Sequence, residues 1–231
     1  IVAILGPILG AASDKKGRKK IIFAGTIAIG SVLCFFLGFI HQWLVFLFLF
    51  ALAKIFYSVS LVIYDSTLSD VTEDDRMDDV SSQGYAWGYI GSCVPFVASL
   101  VLVLMSDKIG ISQGTAMMLA FMITAIWWFG VSTPLLKVYE QKHYSDKKEE
   151  RANVLADLGT SLKEIAKNKK VLLFLLAFFF YIDGVYTIID MSTAYGSALG
   201  LGSTDMLLAL LVTQVVAFPS AIIMGRLSRT K

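Results

Sequence analysis

Apolar and polar positions along this chain alternate in long blocks, on the scale of whole helices rather than of single turns. Near-continuous apolar runs cover residues 21–40, 43–64, 83–105, 115–136, 171–190 and 205–225. Each is about 20 residues long, which is what an α-helix needs to cross the hydrocarbon core of a bilayer. Residues 1–12 read as the end of a further span. Between the runs lie a basic loop at 13–20, a minimal turn at His41 and Gln42, an acidic loop over 70–79, a short loop at 106–113, and a loop at 191–204. The long polar stretch is 137–170. Within it Leu155, Leu158, Leu162 and Ile165 recur at helical spacing, and Ser161 with Glu164 fits a capping box. That spacing predicts a short amphipathic helix on the membrane surface. The expected fold is an all-α integral membrane bundle in three segments: 1–136, a linker at 137–170, and 171–231.

Composition agrees with the pattern. The chain is 56% hydrophobic and 16% charged, with a mean hydropathy of +0.71. The net charge of +2 says little, but its distribution says more. Eighteen of the twenty Lys and Arg residues fall in segments 13–20, 66–82, 137–170 and 226–231, the exceptions being Lys54 and Lys108. Basic loops stay on the cytoplasmic side, so these four segments are expected there. The same topology accounts for the basic residues without nucleic acid. Cys34 and Cys93 sit inside apolar runs with no paired spacing, which predicts neither a disulfide nor a metal site. The acidic loop lacks the glycine and closing glutamate of an EF-hand, so it reads as a solvated face or a partner for the basic loops. No cofactor, metal or catalytic group is expected. The chain starts in mid-helix without Met, which predicts a fragment of a longer protein.

Charges inside spans point to function or pairing, because each costs at least a few kcal/mol in hydrocarbon. Lys54 lies about 16 Å below the outer end of its span and Asp183 about 12 Å, at 1.5 Å per residue. Asp183, Tyr186, Thr187 and Asp190 form a polar stripe at i, i+3, i+4, i+7, and Lys54, Tyr57, Ser58 and Asp65 form another. Such stripes face a cavity or a protein neighbour. The expectation is a solute path through Lys54, Tyr57, Asp183, Tyr186, Thr187 and Gln214, with Asp183 as the proton-coupling candidate. Asp190 is expected at the outer water boundary. Gly84, Gly88 and Ser92 make one small-residue stripe, and Ala217, Ala221 and Gly225 another, suited to close helix packing. Asp14 ends a helix, where the dipole disfavours an anion, so it needs a partner.

The loop Gly10-Ala11-Ala12-Ser13-Asp14-Lys15-Lys16-Gly17-Arg18-Lys19 resembles the signature between the second and third spans of the major facilitator superfamily of secondary transporters. Part of it recurs at Gly225-Arg226-Leu227-Ser228, as a two-half transporter predicts; Arg229 stands where the first copy has Asp14. Ser82 to Gly91 and Phe174 to Val185 are similar to two stretches of the vacuolar-effluxer-like branch, which includes autophagy-related amino-acid effluxers. The resemblance implies about twelve spans, of which this chain covers the second to eighth, and alternating access. It implies a small polar solute, amino acids first, and a monomer in the lipid bilayer without enzymatic activity. The plasma membrane is implied for a bacterial source and the vacuolar membrane for a eukaryotic one. It also implies a gating role for Gly10, Asp14, Gly17 and Arg18, with Arg18 meeting an acid at the end of the fourth span, Asp65 or Asp70. Two other classes compete. One is a non-transporting receptor of the same fold. The other is an intramembrane aspartyl protease using Asp65 and Asp183, which lacks its usual G-x-G-D stretch.

Overall fold

The computed structural model describes residues 2–144, 159–160, 163 and 165–228. Among these residues every regular element is helical: α1 (Val2–Ser13), α2 (Arg18–Leu37), α3 (Trp43–Ser66), the one-turn α4 (Leu68–Val71), a 3-10 turn at Asp74–Arg76, α5 (Met77–Leu104), the one-turn α6 (Ser106–Ile109), α7 (Gln113–Val138), α8 (Lys169–Ala198) and α9 (Ser203–Ser228). Six helical stretches are long and apolar enough to cross a membrane: Arg18–Leu37, Trp43–Val71, Asp74–Leu104, Gln113–Val138, Lys169–Ala198 and Ser203–Ser228. They are the six complete spans that the apolar runs predict. The leucines of the expected surface helix, Leu155, Leu158 and Leu162, lie outside the described residues.

Local chemistry sets the helix ends. Gly17 stands at the N-cap of α2 with φ 72°, a left-handed conformation that glycine adopts without steric cost. Ser112 caps α7 by accepting from the Thr115 amide, and Asn168 caps α8 by accepting from the Lys170 and Val171 amides. Two loop expectations need correction. The expected outer loop at 191–204 is largely helix, since α8 continues to Ala198; the chain turns only near Gly200, at φ 81°. Its Ser, Thr and Tyr residues are compatible with helix, and the break comes where glycines cluster. The acidic stretch 70–79 is also mostly helical, with Asp78 and Asp79 in the first turn of α5, where the dipole favours acids.

The chain divides into two compact units, Ile1–Asp146 with Leu211–Lys231, and Lys147–Leu210. In the first, α2 packs against α3 and α7, α1 against α3, and α5 against α7. Phe23 and Ile27 of α2 meet Val59 and Ile63 of α3, with Leu5, Leu9, Leu135 and Leu136 around them. The seam between α2 and α7 is close: a Cβ on Gly30 would lie 2.4 Å from the Trp128 ring, and one on Gly38 2.7 Å from the Met118 backbone. Small residues are what let spanning helices approach this far. In the second unit Gly196 of α8 packs on Met206, where a Cβ would come within 2.7 Å of the sulfur. The apolar side chains of α8 are exposed all round, Leu173 and Phe180 at 70% and Ile188 at 72%. Apolar side chains exposed on this scale suit a helix surrounded by lipid.

Candidate functional site

The most heavily bonded polar group of the first unit is Asp70, on the one-turn α4. Asp70 lies at the end of the membrane-crossing stretch Trp43–Val71. Its side chain is fully buried. Oδ2 accepts from Lys19 Nζ at 3.0 Å and from the Tyr139 hydroxyl at 2.5 Å. Oδ1 accepts from the His143 amide at 2.7 Å and the Lys142 amide at 3.2 Å, and His143 Nδ1 lies 3.2 Å away. Lys19 is also buried and donates to the Ser66 carbonyl at 3.2 Å.

Three stretches converge there: the basic loop after α1, the end of α3 with α4, and the segment 139–144 after α7. Tyr139, the Lys142 and His143 amides and Lys19 all donate to the carboxylate, and Lys19 brings the opposite charge, so Asp70 acts as a clamp on the three stretches. Burial and then the Asp70 carboxylate push the Tyr139 hydroxyl up, so it stays a donor. The segment also braces the basic loop directly. Gln141 bonds Gly17 and Ser13, Lys20 Nζ reaches the Tyr139 carbonyl at 3.3 Å, and Lys16 Nζ sits 5.0 Å from the Tyr144 ring centroid.

The expected gating residues fall around this cluster. Gly17 takes the left-handed turn. The Gly10 carbonyl accepts from Ser13 Oγ at 2.6 Å and from the Asp14 amide at 3.1 Å. Asp14, Arg18 and Asp65 are exposed. The cation on the acid at the end of the fourth span is thus Lys19, not Arg18. The two are adjacent in sequence, 100° apart on the helix, and the helix register turns Lys19 inward. Asp70 itself is a partner for the basic loop, through Lys19, rather than part of a solvated acidic face.

The packing stripes divide. Gln214, Ala217, Ala221 and Gly225 lie on the less exposed face of α9. A Cβ on Gly225 would come within 2.6 Å of Ser82 Cβ, and Ser92 Oγ lies 3.3 Å from Gln214 Oε1. These contacts run antiparallel, so α5 meets α9 over this stretch through Ser82 and Ser92. Gly84 and Gly88 do not make that seam. Both are exposed; a Cβ on Gly84 would meet Tyr64 Oη at 3.7 Å, and one on Gly88 meets nothing within 4 Å. The sequence interval is right, but the residues that α5 buries are Asp79, Ala86 and Leu100.

Along the expected solute path, Lys54 and Tyr57 are exposed on α3, Tyr57 edge-on to Trp128 at 5.7 Å. Asp183, Tyr186 and Thr187 are exposed on α8, in the second unit. Tyr139, Gln141 and His143 were not legible as site residues. They sit in a polar stretch without spacing or motif, and their partners are as far as 128 residues away. Among the described residues no group of His, Cys, Asp and Glu has a metal-binding arrangement.

Comparison with known proteins bears on this arrangement. Residues 69–231 match the family described as "Vacuole effluxer Atg22 like". The chain is 43% identical over 233 residues to the uncharacterized MFS-type transporter YxiO of Bacillus subtilis (strain 168), covering 99% of this chain and 54% of that protein. It thus spans about half the length of the curated relative it matches. No solved structure matches the chain. With six membrane-crossing helices, a family match over residues 69–231 and a relative aligned over 99% of this chain, the chain belongs to the vacuole effluxer Atg22-like family.

Proposed function

We propose that the complete protein is a secondary active transporter that moves a small polar solute, amino acids first, by alternating access. The observation that carries this reading is the presence of ionisable side chains, Lys54 on α3 and Asp183 on α8, within otherwise apolar spans. Lipid penalises such groups, so they persist where a solute or an opposite charge meets them. In this reading Lys54, Tyr57, Asp183, Tyr186, Thr187 and Gln214 line the path, and Lys54 and Asp183 pair in one state of the cycle. Asp183 exchanges a proton as it pairs and unpairs. The loop 13–20 lies on the cytoplasmic side and gates through Asp14 and Arg18, while the Asp70 clamp keeps the first half-bundle rigid. The protein works as a monomer.

The test is uptake of a labelled amino-acid mixture into proteoliposomes holding the full-length protein, with and without a pH gradient. Flux should require the gradient and be lost in Asp183→Asn and Lys54→Met. Asp14→Asn should slow turnover without preventing insertion. Normal flux in both span variants would end the path assignment. Flux indifferent to pH would end proton coupling.

A further inference from the structure

The gap between α1 and α2 is closed by a side chain from far along the chain. Ser13 ends α1 and Gly17 caps α2, so the Ser13 carbonyl and the Gly17 amide are helix-end groups without partners inside their helices. Gln141 serves both. Its Oε1 accepts from the Gly17 amide at 3.0 Å, and its Nε2 donates to the Ser13 carbonyl at 3.2 Å. A carboxamide suits this place because it offers an acceptor and a donor on one planar group. Gln141 is fixed in turn. Nε2 also reaches the His143 carbonyl at 3.3 Å, and the Lys142 and His143 amides are held on Asp70. The three residues between the paired groups include Asp14, and Arg18 follows directly.

We propose that Gln141 is a positioning residue of the gating loop: its carboxamide sets the width between α1 and α2 and so the direction in which Asp14 and Arg18 project. The link to transport rests on the gating role given to those two residues above. Asparagine is one methylene shorter and cannot span both groups. Glutamate keeps the bond from the Gly17 amide and loses the one to Ser13, since a carboxylate has no proton to donate there.

The experiment uses the full-length protein and two readouts. Hydrogen exchange resolved at the Gly17 amide reports the bond itself. Turnover and KM in proteoliposomes report its use. In Gln141→Ala, Gly17 should exchange about tenfold faster, as expected for an amide that loses its acceptor. Turnover should fall about fivefold with KM within about twofold, because the residue does not touch solute. Gln141→Glu should keep Gly17 protection and show an intermediate turnover; if Gln141→Ala does not insert, Glu against Asn at this position gives the same contrast. Unchanged Gly17 exchange in Gln141→Ala, or in Asn where Ala fails, overturns the proposal. Faster exchange with wild-type turnover upholds the positioning and removes the gating role of Asp14 and Arg18.

Discussion

Replacing Asp70 by asparagine should cost the protein a large part of its stability. Four donors converge on the two carboxylate oxygens, Lys19 Nζ and the Tyr139 hydroxyl on one, the Lys142 and His143 amides on the other, with the His143 ring nitrogen 3.2 Å from the latter. An amide in their place puts an NH2 group against donors whichever way it is turned. It also removes the counter-ion of Lys19, whose side chain is only 4% exposed. Breaking a buried ion pair from one side costs about 3–5 kcal/mol, because the remaining charge stays out of water without compensation. Removing both charges costs less than the sum, so Lys19→Met with Asp70→Asn should show a coupling of about 2 kcal/mol or more. The assay is denaturation of the full-length protein in mixed micelles, for the wild type, both single variants and the double. A single Asp70→Asn loss below about 0.5 kcal/mol, the level of an ordinary surface change, would refute the reasoning. Strict additivity would place the stabilisation outside the Lys19 pair.

Two further outcomes follow from the same structure. Gly225→Ala puts a methyl 2.6 Å from Ser82 Cβ and should destabilise by about 1–3 kcal/mol, with Ser82→Gly recovering most of it in the same micelle assay. At Gly17 nothing lies within 4 Å of an added Cβ, so Gly17→Ala meets only the cost of φ 72°, about 1–2 kcal/mol; Gly17→Asn should cost less, since asparagine tolerates that conformation.

The spans were legible in the sequence because a bilayer imposes a length and a polarity that few other environments demand. The runs at 21–40 and 115–136, for example, become α2 and α7 with small shifts at their ends. Gly17 stood out in the sequence only through the resemblance of its loop, and its left-handed turn is a finding of the structure. Helix rotation was less legible. Gly84 and Gly88 have the interval of a packing stripe, yet interval alone does not fix which way a span faces when every side of it is apolar enough for lipid. The sequence likewise does not say that Lys19, the neighbour of Arg18, meets Asp70. Gln141 and His143 left no trace because a single long-range hydrogen bond has no sequence periodicity.

The Asp70 clamp also bears on how the protein is made. A chain emerging from the ribosome releases Lys19 first, Asp70 51 residues later, and His143 a further 73 after that. The two members of the ion pair are therefore both present once α3 and α4 have been made, but the remaining donors follow only after α5 and α7. The carboxylate's full set of bonds is thus completed by residues 139–144, the stretch that follows the last helix of the first half-bundle.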